Sequence, residues 1–478
     1  MNVNKVMYRI ALFVGLSVLA LTTPAQAREK VDLIVQGDYV VPMDDVTDII
    51  RDGAVAVRGN RILAVGSRES VEKKYRARKT LPGKSRLVMP GLINGHTHAA
   101  MSLLRGIADD LELMDWLNEF IFPIESRFVD PEFVRIGTEL ACWEMIRGGT
   151  TMIVDMYYFA DSTAEALEGC GLRGMVATTA VGQKSPDAES VAESLNLASD
   201  FVARWRKRSD RIYPILAPHS VYTLNPDQLT AVKDRALELG VPISIHLSES
   251  PFEIEVTRKN YGTTPIKLLD KLGVFEVPTI AAHVIWPMDD EIPILVKRHV
   301  GVIHNPSSNM KIASGIAPVQ KMLEAGVAVG LGTDGAASNN DLDMWEEMRL
   351  AAFLAKVSSM NPEVLPARTV LRMATRGGAE ALGLQDEIGS LVPGMKADLI
   401  QVSLEDVHFI PTYDVLSHLV YVADEQDVAT VIVDGHILMQ DGRIRSLDTR
   451  RVRREAEAIA ERIRRSVTRS VTRSVTAR

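Results

Sequence analysis

Apolar and polar residues are arranged along the chain in two patterns that predict two kinds of structure. Near both ends, short stretches rich in Val and Ile are interrupted by Gly and Asn, which is typical of strands joined by tight turns. Between residues 89 and 385, short apolar runs alternate with stretches whose apolar positions recur with a helical period. The apolar runs are Thr151–Val154, Met175–Thr179, Ile212–Ala217, Ile243–Leu247, Thr279–His283, Val300–His304 and Val327–Gly332.

Repeated alternation of strand and helix indicates βαβ units and therefore a parallel sheet. About eight strands in about 300 residues favour a (β/α)8 TIM-like barrel over the alternative, a doubly wound sheet, and no GxGxxG motif opens a helix. We predict this barrel over residues 89–385, with a small β-sandwich domain built from both chain ends, residues 28–88 and 386–447. The predicted helices include Pro131–Arg147, Glu189–Arg206, Pro226–Leu239, Ile316–Ala325 and Asp343–Ala355.

The two ends of the chain carry signals of their own. Residues 1–27 combine two basic residues, an apolar run of 12 residues from Ile10 to Leu21 and an A-x-A signature, which predicts a signal peptide cut after Ala27. That run is short for a membrane span, which needs roughly 20 residues. We therefore expect a periplasmic or secreted protein without stable membrane insertion. Residues 448–478 predict a basic tail that is helical and partly disordered, or a helix that continues through its three Arg-Ser-Val-Thr repeats.

Composition narrows the class of protein. A chain of 478 residues with 46% hydrophobic and 24% charged residues is ordinary for a soluble globular protein. The net charge of −8 argues against a general nucleic-acid binder. Cys142 and Cys170, the two cysteines, cannot form a disulfide framework. They lie in neighbouring helical stretches, where they are either two buried thiols or a pair.

The strongest chemical signal is a His-x-His motif, His96 and His98, at the end of the first predicted barrel strand. Alternate residues of a strand face the same way, so both imidazoles can reach one metal ion. Active sites of such barrels lie at the carboxyl ends of the strands. Further candidates sit at the ends of later strands: His219, His246 with Glu249 close behind it, His283, His304 and Asp334.

These motifs resemble those of the amidohydrolase superfamily, in particular its branch of methylthioadenosine/S-adenosylhomocysteine deaminases and triazine hydrolases. The resemblance covers about residues 30–445. It is carried by the segments Pro90–His98, Met114–Glu125, Ala217–Thr223, His246–Glu249, Ala281–His283, His304–Asn309, Gly332–Met344 and Pro393–Leu399.

The resemblance implies one divalent metal ion. Three imidazoles and one carboxylate suit zinc, with iron as the alternative. Relatives with two metal ions carry a modified lysine at the end of strand four, whereas this strand ends in Pro218-His219, so we expect a single ion. The ion would lower the pKa of a bound water molecule, and Asp334 would be the base that takes its proton. The implied metal ligands are His96, His98, His246 and Asp334.

The resemblance also assigns roles around the reacting atoms. Glu249 would protonate the ring nitrogen beside the attacked carbon, and His283 would orient the attacking water. Trp116 would pack on the purine, Glu125 would accept hydrogen bonds from the ribose 2′- and 3′-hydroxyls, and His219 would contact the nucleoside. The alternatives are a core aromatic for Trp116 and surface carboxylates for the two glutamates. His304 would support the site from behind.

The implied activity is hydrolytic deamination at C6 of an adenine nucleoside, with release of ammonia. Candidate substrates are adenosine, 5′-methylthioadenosine, 5′-deoxyadenosine and S-adenosylhomocysteine. The segment Thr178–Lys184 after strand three contains no arginine, and only Lys184 is near, which disfavours the carboxylate-bearing last candidate. The alternatives are a chlorohydrolase or deaminase acting on a triazine, free purine base or pterin, and an inactive periplasmic binding protein. Related enzymes suggest a homo-oligomer.

Overall fold

The computed structural model describes residues 28–44 and 46–476, with side chains placed as far as Ser466. The predicted signal peptide lies outside the described residues. Two sheets organise this part of the chain, one of eight strands and one of nine. No helix in the described ranges is long and apolar enough to cross a bilayer.

Eight parallel strands form one of the two sheets, and each pairs with the next one along the chain. The first and last strands meet where the backbone N–H of Asp334 donates to the carbonyl of His96 at 3.0 Å. The hydroxyl of Thr97 also donates to the carbonyl of Asp334 at 2.9 Å. The predicted (β/α)8 barrel is thereby confirmed. Its strands are Leu92–Thr97, Thr150–Tyr157, Arg173–Ala180, Ile212–Pro218, Ile243–Leu247, Thr279–His283, Gly301–His304 and Val329–Leu331.

Helices cover the outside of the barrel, so its strands are buried on both faces and read as apolar runs. Strands two and three, for example, are buried at every position. Several helices begin with a capping side chain, as at Asp130, which accepts from the N–H of Phe133 at 2.8 Å. The longer helices are Pro131–Arg147, Ala160–Cys170, Val191–Trp205, Pro226–Leu239, Pro251–Tyr261 and Met344–Ser359; shorter ones are Arg68–Lys74, Phe122–Phe128, Pro265–Lys271, Ile292–Lys297, Pro306–Lys311, Val319–Ala325, Ala367–Met373, Arg376–Ala381 and Val415–Tyr421.

Strands from both chain ends form the second, mostly antiparallel sheet, which confirms the predicted small β domain. Glu29–Val40 pairs with three other N-terminal strands, Ile50–Arg58, Tyr75–Leu81 and Arg86–Pro90. Arg86–Pro90 then pairs with a C-terminal strand, Leu399–Ser403, and so joins the two ends. Apolar side chains from both ends share one buried cluster. The remaining strands are Arg61–Ser67, Val428–Val433, His436–Gln440 and Arg443–Ile444.

A buried arginine connects the two domains. Arg173 begins barrel strand three and is fully buried. Its guanidinium donates to both carboxylate oxygens of Asp398, at 2.7 and 3.1 Å, and to Asp434 at 3.0 Å. Both aspartates belong to the C-terminal part of the small domain. Since the amino end of a barrel strand carries this network, the small domain is fixed to the end of the barrel opposite the candidate site.

The chain ends in a helix, Thr449–Thr476, whose first half packs on the barrel. Val452 and Ile459 are buried, and Arg451 donates to Glu139 of helix Pro131–Arg147 at 2.9 Å. The backbone is helical as far as Thr476 and so through the Arg-Ser-Val-Thr repeats. Cys142 and Cys170 are both buried free thiols.

Candidate active site

The four predicted metal ligands meet at the carboxyl ends of three of the barrel strands. One ligand atom from each of His96, His98, His246 and Asp334 lies within 4.8 Å of all the others. The Nε2 atoms of His98 and His246 are 3.3 Å apart. Asp334 Oδ1 lies 3.1 Å from His98 Nε2 and 3.4 Å from His96 Nε2. The chain therefore points three imidazole nitrogens and one carboxylate oxygen at a common centre.

The chemistry of this cluster fits a divalent metal ion. Among the described residues, neither ring nitrogen of the fully buried His96 has a hydrogen-bond partner. Burial lowers the pKa of His96 to about 4, so its ring is a neutral donor of electron pairs. Although burial opposes its ionisation, contact with His96 and His98 holds the pKa of the Asp334 carboxyl well below its usual range. Zinc requires neutral imidazoles and an ionised carboxylate, so it would displace a proton from His98, whose pKa the contact with Asp334 raises to about 9 against the effect of burial.

The other nitrogen of two ligand rings is fixed by the backbone. His98 Nδ1 lies 2.5 Å from the carbonyl oxygen of Met156, and His246 Nδ1 lies 2.9 Å from that of His219. A carbonyl accepts only from N–H, so each ring carries its proton on Nδ1 and presents the lone pair of Nε2 to the cluster. The tautomers that a metal ion needs are thus set by strands two and four.

Asp334 is held by hydrogen bonds that leave one oxygen to the histidines. Its Oδ2 accepts from the hydroxyls of Ser308 at 2.7 Å and Ser338 at 2.9 Å. Its Oδ1 accepts from the N–H of Gly335 at 2.8 Å and faces the imidazoles. Ser338 lies in the segment Gly332–Met344 that the sequence singled out, whereas the contact of Ser308 was not predicted.

The backbone at the strand ends adopts a conformation that L-residues rarely take. Positive φ angles occur at Ser248 (50°), His283 (74°), Val284 (44°) and Asp334 (63°). A β-branched residue at positive φ is strained, and such strain of roughly 1–3 kcal/mol per residue persists only where the surroundings enforce it. At these residues the chain turns sharply as the strand ends, and the turn places the functional side chains beside the cluster.

Glu249, the predicted acid, is 4% exposed and lies beside His283. Its Oε1 is 3.8 Å from His283 Nε2, and its Oε2 accepts from the hydroxyl of Tyr222 at 3.4 Å. Burial raises the pKa of the Glu249 carboxyl, which favours the protonated form that a general acid needs. The carboxylate of Glu253 fixes the turn by accepting from the N–H groups of Ser248 and Glu249, at 3.0 and 2.8 Å.

His283 is oriented from behind by two asparagines. Its Nδ1 lies 2.8 Å from Asn309 Oδ1 and 3.3 Å from the side-chain nitrogen of Asn305. The ring therefore turns Nε2 toward Glu249, and this nitrogen has no hydrogen-bond partner among the described residues. A buried imidazole nitrogen without a partner is available to a substrate or water. Asn309 lies in a motif that the sequence singled out, but its contact with His283 was not predicted.

The predicted substrate residues line one cavity above the cluster. Trp116 lies in a π-helical turn, Trp116–Ile121, and reaches this cavity, as do Glu125 and His219. His98, His246, Glu249 and Asp334 form its floor, so binding and catalytic residues open onto the same space. The rest of the lining is mainly apolar and aromatic: Met101, Leu113, Leu117, Ile121, Phe122, Met156, Tyr157, Tyr158, Thr179 and Tyr222.

Glu125 is almost completely buried, at 2% exposure, so it is not a surface carboxylate. Its two oxygens accept from the hydroxyls of Tyr157 at 2.7 Å and Tyr158 at 3.4 Å. Burial raises its pKa to about 7. Neither tyrosine was predicted from the sequence, although both lie within a few residues of the apolar run Thr151–Val154 that was identified as a strand.

Four predicted residues are not part of the cavity lining: His96, His283, His304 and Lys184. His96 and His283 are fully buried, next to Asp334 and Glu249 respectively, which do line it. His304 is buried at the end of barrel strand seven but is not part of the lining. Lys184 is 69% exposed and pairs with Glu189 on the surface. No arginine or lysine occurs among the described residues that line the cavity. The cavity therefore offers no cation to a charged substrate group.

Comparison with known proteins gives a consistent set of relatives. The sequence profile of the Amidohydrolase family matches residues 87–438. The "5-methylthioadenosine/S-adenosylhomocysteine deaminase" of Pelotomaculum thermopropionicum is 47% identical over 89% of this chain and 97% of its own length. The "5'-deoxyadenosine deaminase" of Methanosarcina mazei is 45% identical over 90% of this chain and 98% of its own.

Solved structures agree with these matches. A zinc-bound adenosine deaminase from Xanthomonas campestris superposes with a TM-score of 0.89 at 38% identity, covering 91% of this chain and 99% of the other. A triazine hydrolase variant superposes with a TM-score of 0.83 at 26% identity, covering 90% and 99%. The resemblance inferred from the motifs is thereby confirmed over nearly the whole described chain.

Proposed function

This chain belongs to the amidohydrolase family, and we propose that it is a metal-dependent deaminase that removes the 6-amino group of an adenine nucleoside as ammonia. The observation that carries the proposal is the single cavity onto which His98, His246, Asp334, Glu249 and Glu125 all open. Metal ligands, a buried acid and a second buried carboxylate thus face one substrate. The names of the relatives support the same activity.

His96, His98, His246 and Asp334 would hold the ion, with zinc as the best fit to their donor atoms. When bound, such an ion supplies Lewis acidity and lowers the pKa of a water molecule. Asp334, whose Oδ2 is held by Ser308 and Ser338 and whose Oδ1 is held by Gly335, would accept the proton of that water. His283 directs Nε2 into the space beside Glu249, where it can orient the attacking water.

Glu249 acts as the general acid. Its raised pKa favours the protonated carboxyl. This group donates its proton to the ring nitrogen adjacent to C6, which makes that carbon electrophilic. The hydroxyl of Tyr222 keeps its carboxyl group directed into the cavity. Once C6 is attacked, the amino group takes the proton that Asp334 removed from the water and leaves as ammonia. The proton of the new C6 hydroxyl then returns to Glu249 as the C6 carbonyl forms.

Glu125 binds the ribose and Trp116 packs against the purine. An ionised carboxylate accepts hydrogen bonds from both ribose hydroxyls, and a triazine, pterin or free base offers no such diol. Glu125, buried in the cavity wall, therefore favours a nucleoside over those alternatives. The lack of a lining cation favours uncharged 5′-groups, as in adenosine, 5′-methylthioadenosine and 5′-deoxyadenosine, over S-adenosylhomocysteine.

Ammonia release by the zinc-loaded protein tests the proposal. The panel consists of these four nucleosides, guanine, a pterin and a chlorotriazine, with chloride followed for the last. We expect turnover of the three nucleosides with uncharged 5′-groups and a lower kcat/KM for S-adenosylhomocysteine. Glu125→Ala should raise the KM for nucleosides, while Glu119→Ala, an exposed glutamate of the same segment, should not. Activity confined to guanine, the pterin or the triazine would contradict the proposal.

A further inference from the structure

Two tyrosines that the proposed mechanism does not use hold the Glu125 carboxylate. Tyr157 ends barrel strand two and Tyr158 follows it directly. The hydroxyl of Tyr157 donates to Glu125 Oε1 at 2.7 Å, and that of Tyr158 donates to Oε2 at 3.4 Å. Each oxygen of the carboxylate therefore accepts from a different phenol. We call Tyr157 and Tyr158 the phenol pair.

The number of acceptor sites on Glu125 is what makes this arrangement selective. An ionised carboxylate offers about four lone-pair sites, two on each oxygen. The phenol pair occupies one site on each oxygen, which leaves one site on each oxygen for a ligand. Two neighbouring hydroxyls of a ribose need two acceptors side by side. The remaining capacity of Glu125 thus matches one vicinal diol.

The phenol pair can act only as a donor to Glu125. Tyr157 and Tyr158 are 3% and 5% exposed, and burial together with the Glu125 charge raises the pKa of both phenols well above the usual range. Their backbone is also fixed: Thr179 donates its hydroxyl to the carbonyl of Tyr157 at 2.9 Å. The N–H of Phe159 donates to Asp187 at 2.8 Å. Donors held in this way orient the carboxylate before a ligand arrives.

We propose that the phenol pair orients Glu125 and leaves one acceptor site on each of its oxygens, so that the cavity selects nucleosides carrying both ribose hydroxyls. This inference rests on the proposed function and extends it from Glu125 to two positioning residues. Both tyrosines act through the carboxylate and not on the reacting atoms. Their removal should therefore change ribose recognition and not the chemical step.

Phenylalanine substitutions separate this role from ordinary packing, because they remove only the hydroxyl. In Tyr157→Phe we expect the KM for adenosine to rise roughly 10-fold with kcat nearly unchanged, the effect of losing one hydrogen bond to a charged group. Tyr158→Phe should have a smaller effect because its contact is longer. The inhibition constant of 2′,3′-dideoxyadenosine, which has no diol, should stay constant in both variants. Tyr421→Phe, at a ring stacked on Phe353 away from the cavity, is the matched control.

Three results would overturn the inference, and they are distinguishable. Equal losses for adenosine and the dideoxynucleoside would show that the tyrosines only pack the cavity wall. An unchanged KM for adenosine in both variants would show that Glu125 needs no positioning. If the wild-type protein holds zinc but turns over no adenine nucleoside, the proposed function itself fails and the selectivity falls with it. Zinc content and melting temperature, measured for every variant, verify that each protein is folded and loaded.

Discussion

Replacing Glu249 with glutamine tests the assignment of the general acid. Glutamine keeps the size of the side chain and its ability to hydrogen-bond, but it has no proton to transfer. Glu249 is 4% exposed, and its burial raises the pKa that makes the proton available. Its carboxyl lies 3.8 Å from His283 Nε2 and is not one of the four clustered ligands. The substitution should therefore affect proton transfer while leaving the metal site intact.

The expected loss follows from the role. A positioned general acid contributes a factor of about 10²–10⁴ in rate. That factor corresponds to about 2.7–5.4 kcal/mol in the activation free energy. In Glu249→Gln we expect kcat for adenosine deamination to fall by this factor, with KM close to the wild-type value because the purine and ribose contacts remain. Steady-state ammonia release measures both constants, and metal analysis accompanies it.

Glu255→Gln is the matched control, since Glu255 lies exposed on the helix Pro251–Tyr261 that follows the same strand. It should retain wild-type turnover. A Glu249→Gln protein with unaltered kcat would refute the assignment, because a group that transfers no proton cannot replace an acid. A loss of bound metal in that variant would refute it differently, by showing that Glu249 maintains the metal site.

Two further predictions concern pH and stability. Burial raises the pKa of Glu125 to about 7, so the KM for adenosine should rise as the pH falls below that value and the carboxylate becomes protonated, whereas the inhibition constant of 2′,3′-dideoxyadenosine should not follow it. A KM that stays constant as the pH falls through this pKa of about 7 would argue against ribose binding by Glu125. Arg173→Met should lower the free energy of unfolding by about 3–5 kcal/mol, because Asp398 would stay buried without its cation, whereas Asp434 would keep its contact with Lys396. Chemical denaturation measures this loss, and Arg208→Met, at an exposed ion pair, should cost about 1 kcal/mol or less.

The barrel, and the position of the candidate residues at the ends of its strands, could be predicted from the sequence because both follow from local patterns. Strands covered on both faces by helices appear as apolar runs, and the ends of strands Ile243–Leu247 and Thr279–His283 were predicted to the residue. Strand eight is shorter than predicted, Val329–Leu331 in place of Val327–Gly332. The His-x-His motif needs only the alternation of a strand to place both rings on one side. The assignments of individual residues to metal, catalysis and substrate remain predictions.

The contacts that orient the site could not be predicted in the same way. Ser308 meets Asp334 across 26 positions of sequence, and Tyr157 meets Glu125 across 32. Neither contact leaves a periodic signal, since each depends on how a short helix that follows one barrel strand packs against residues at or just after the end of the next strand. The positive φ angles at Ser248 and Val284 could not be predicted either, because neither residue type favours that conformation.

The strained residues of the site and the contacts that stabilise the fold lie at opposite ends of the barrel. Four residues at positive φ, Ser248, His283, Val284 and Asp334, lie at this end of the barrel, as do the buried carboxyls of Glu125 and Glu249 with their raised pKa values, and each costs free energy. The Arg173 network and the joined sheet of the small domain lie at the opposite end. A barrel stabilised at one end can hold strained loops at the other without losing its fold. Substitutions at Arg173 should therefore reduce stability more than they change KM, whereas Tyr157→Phe should do the reverse.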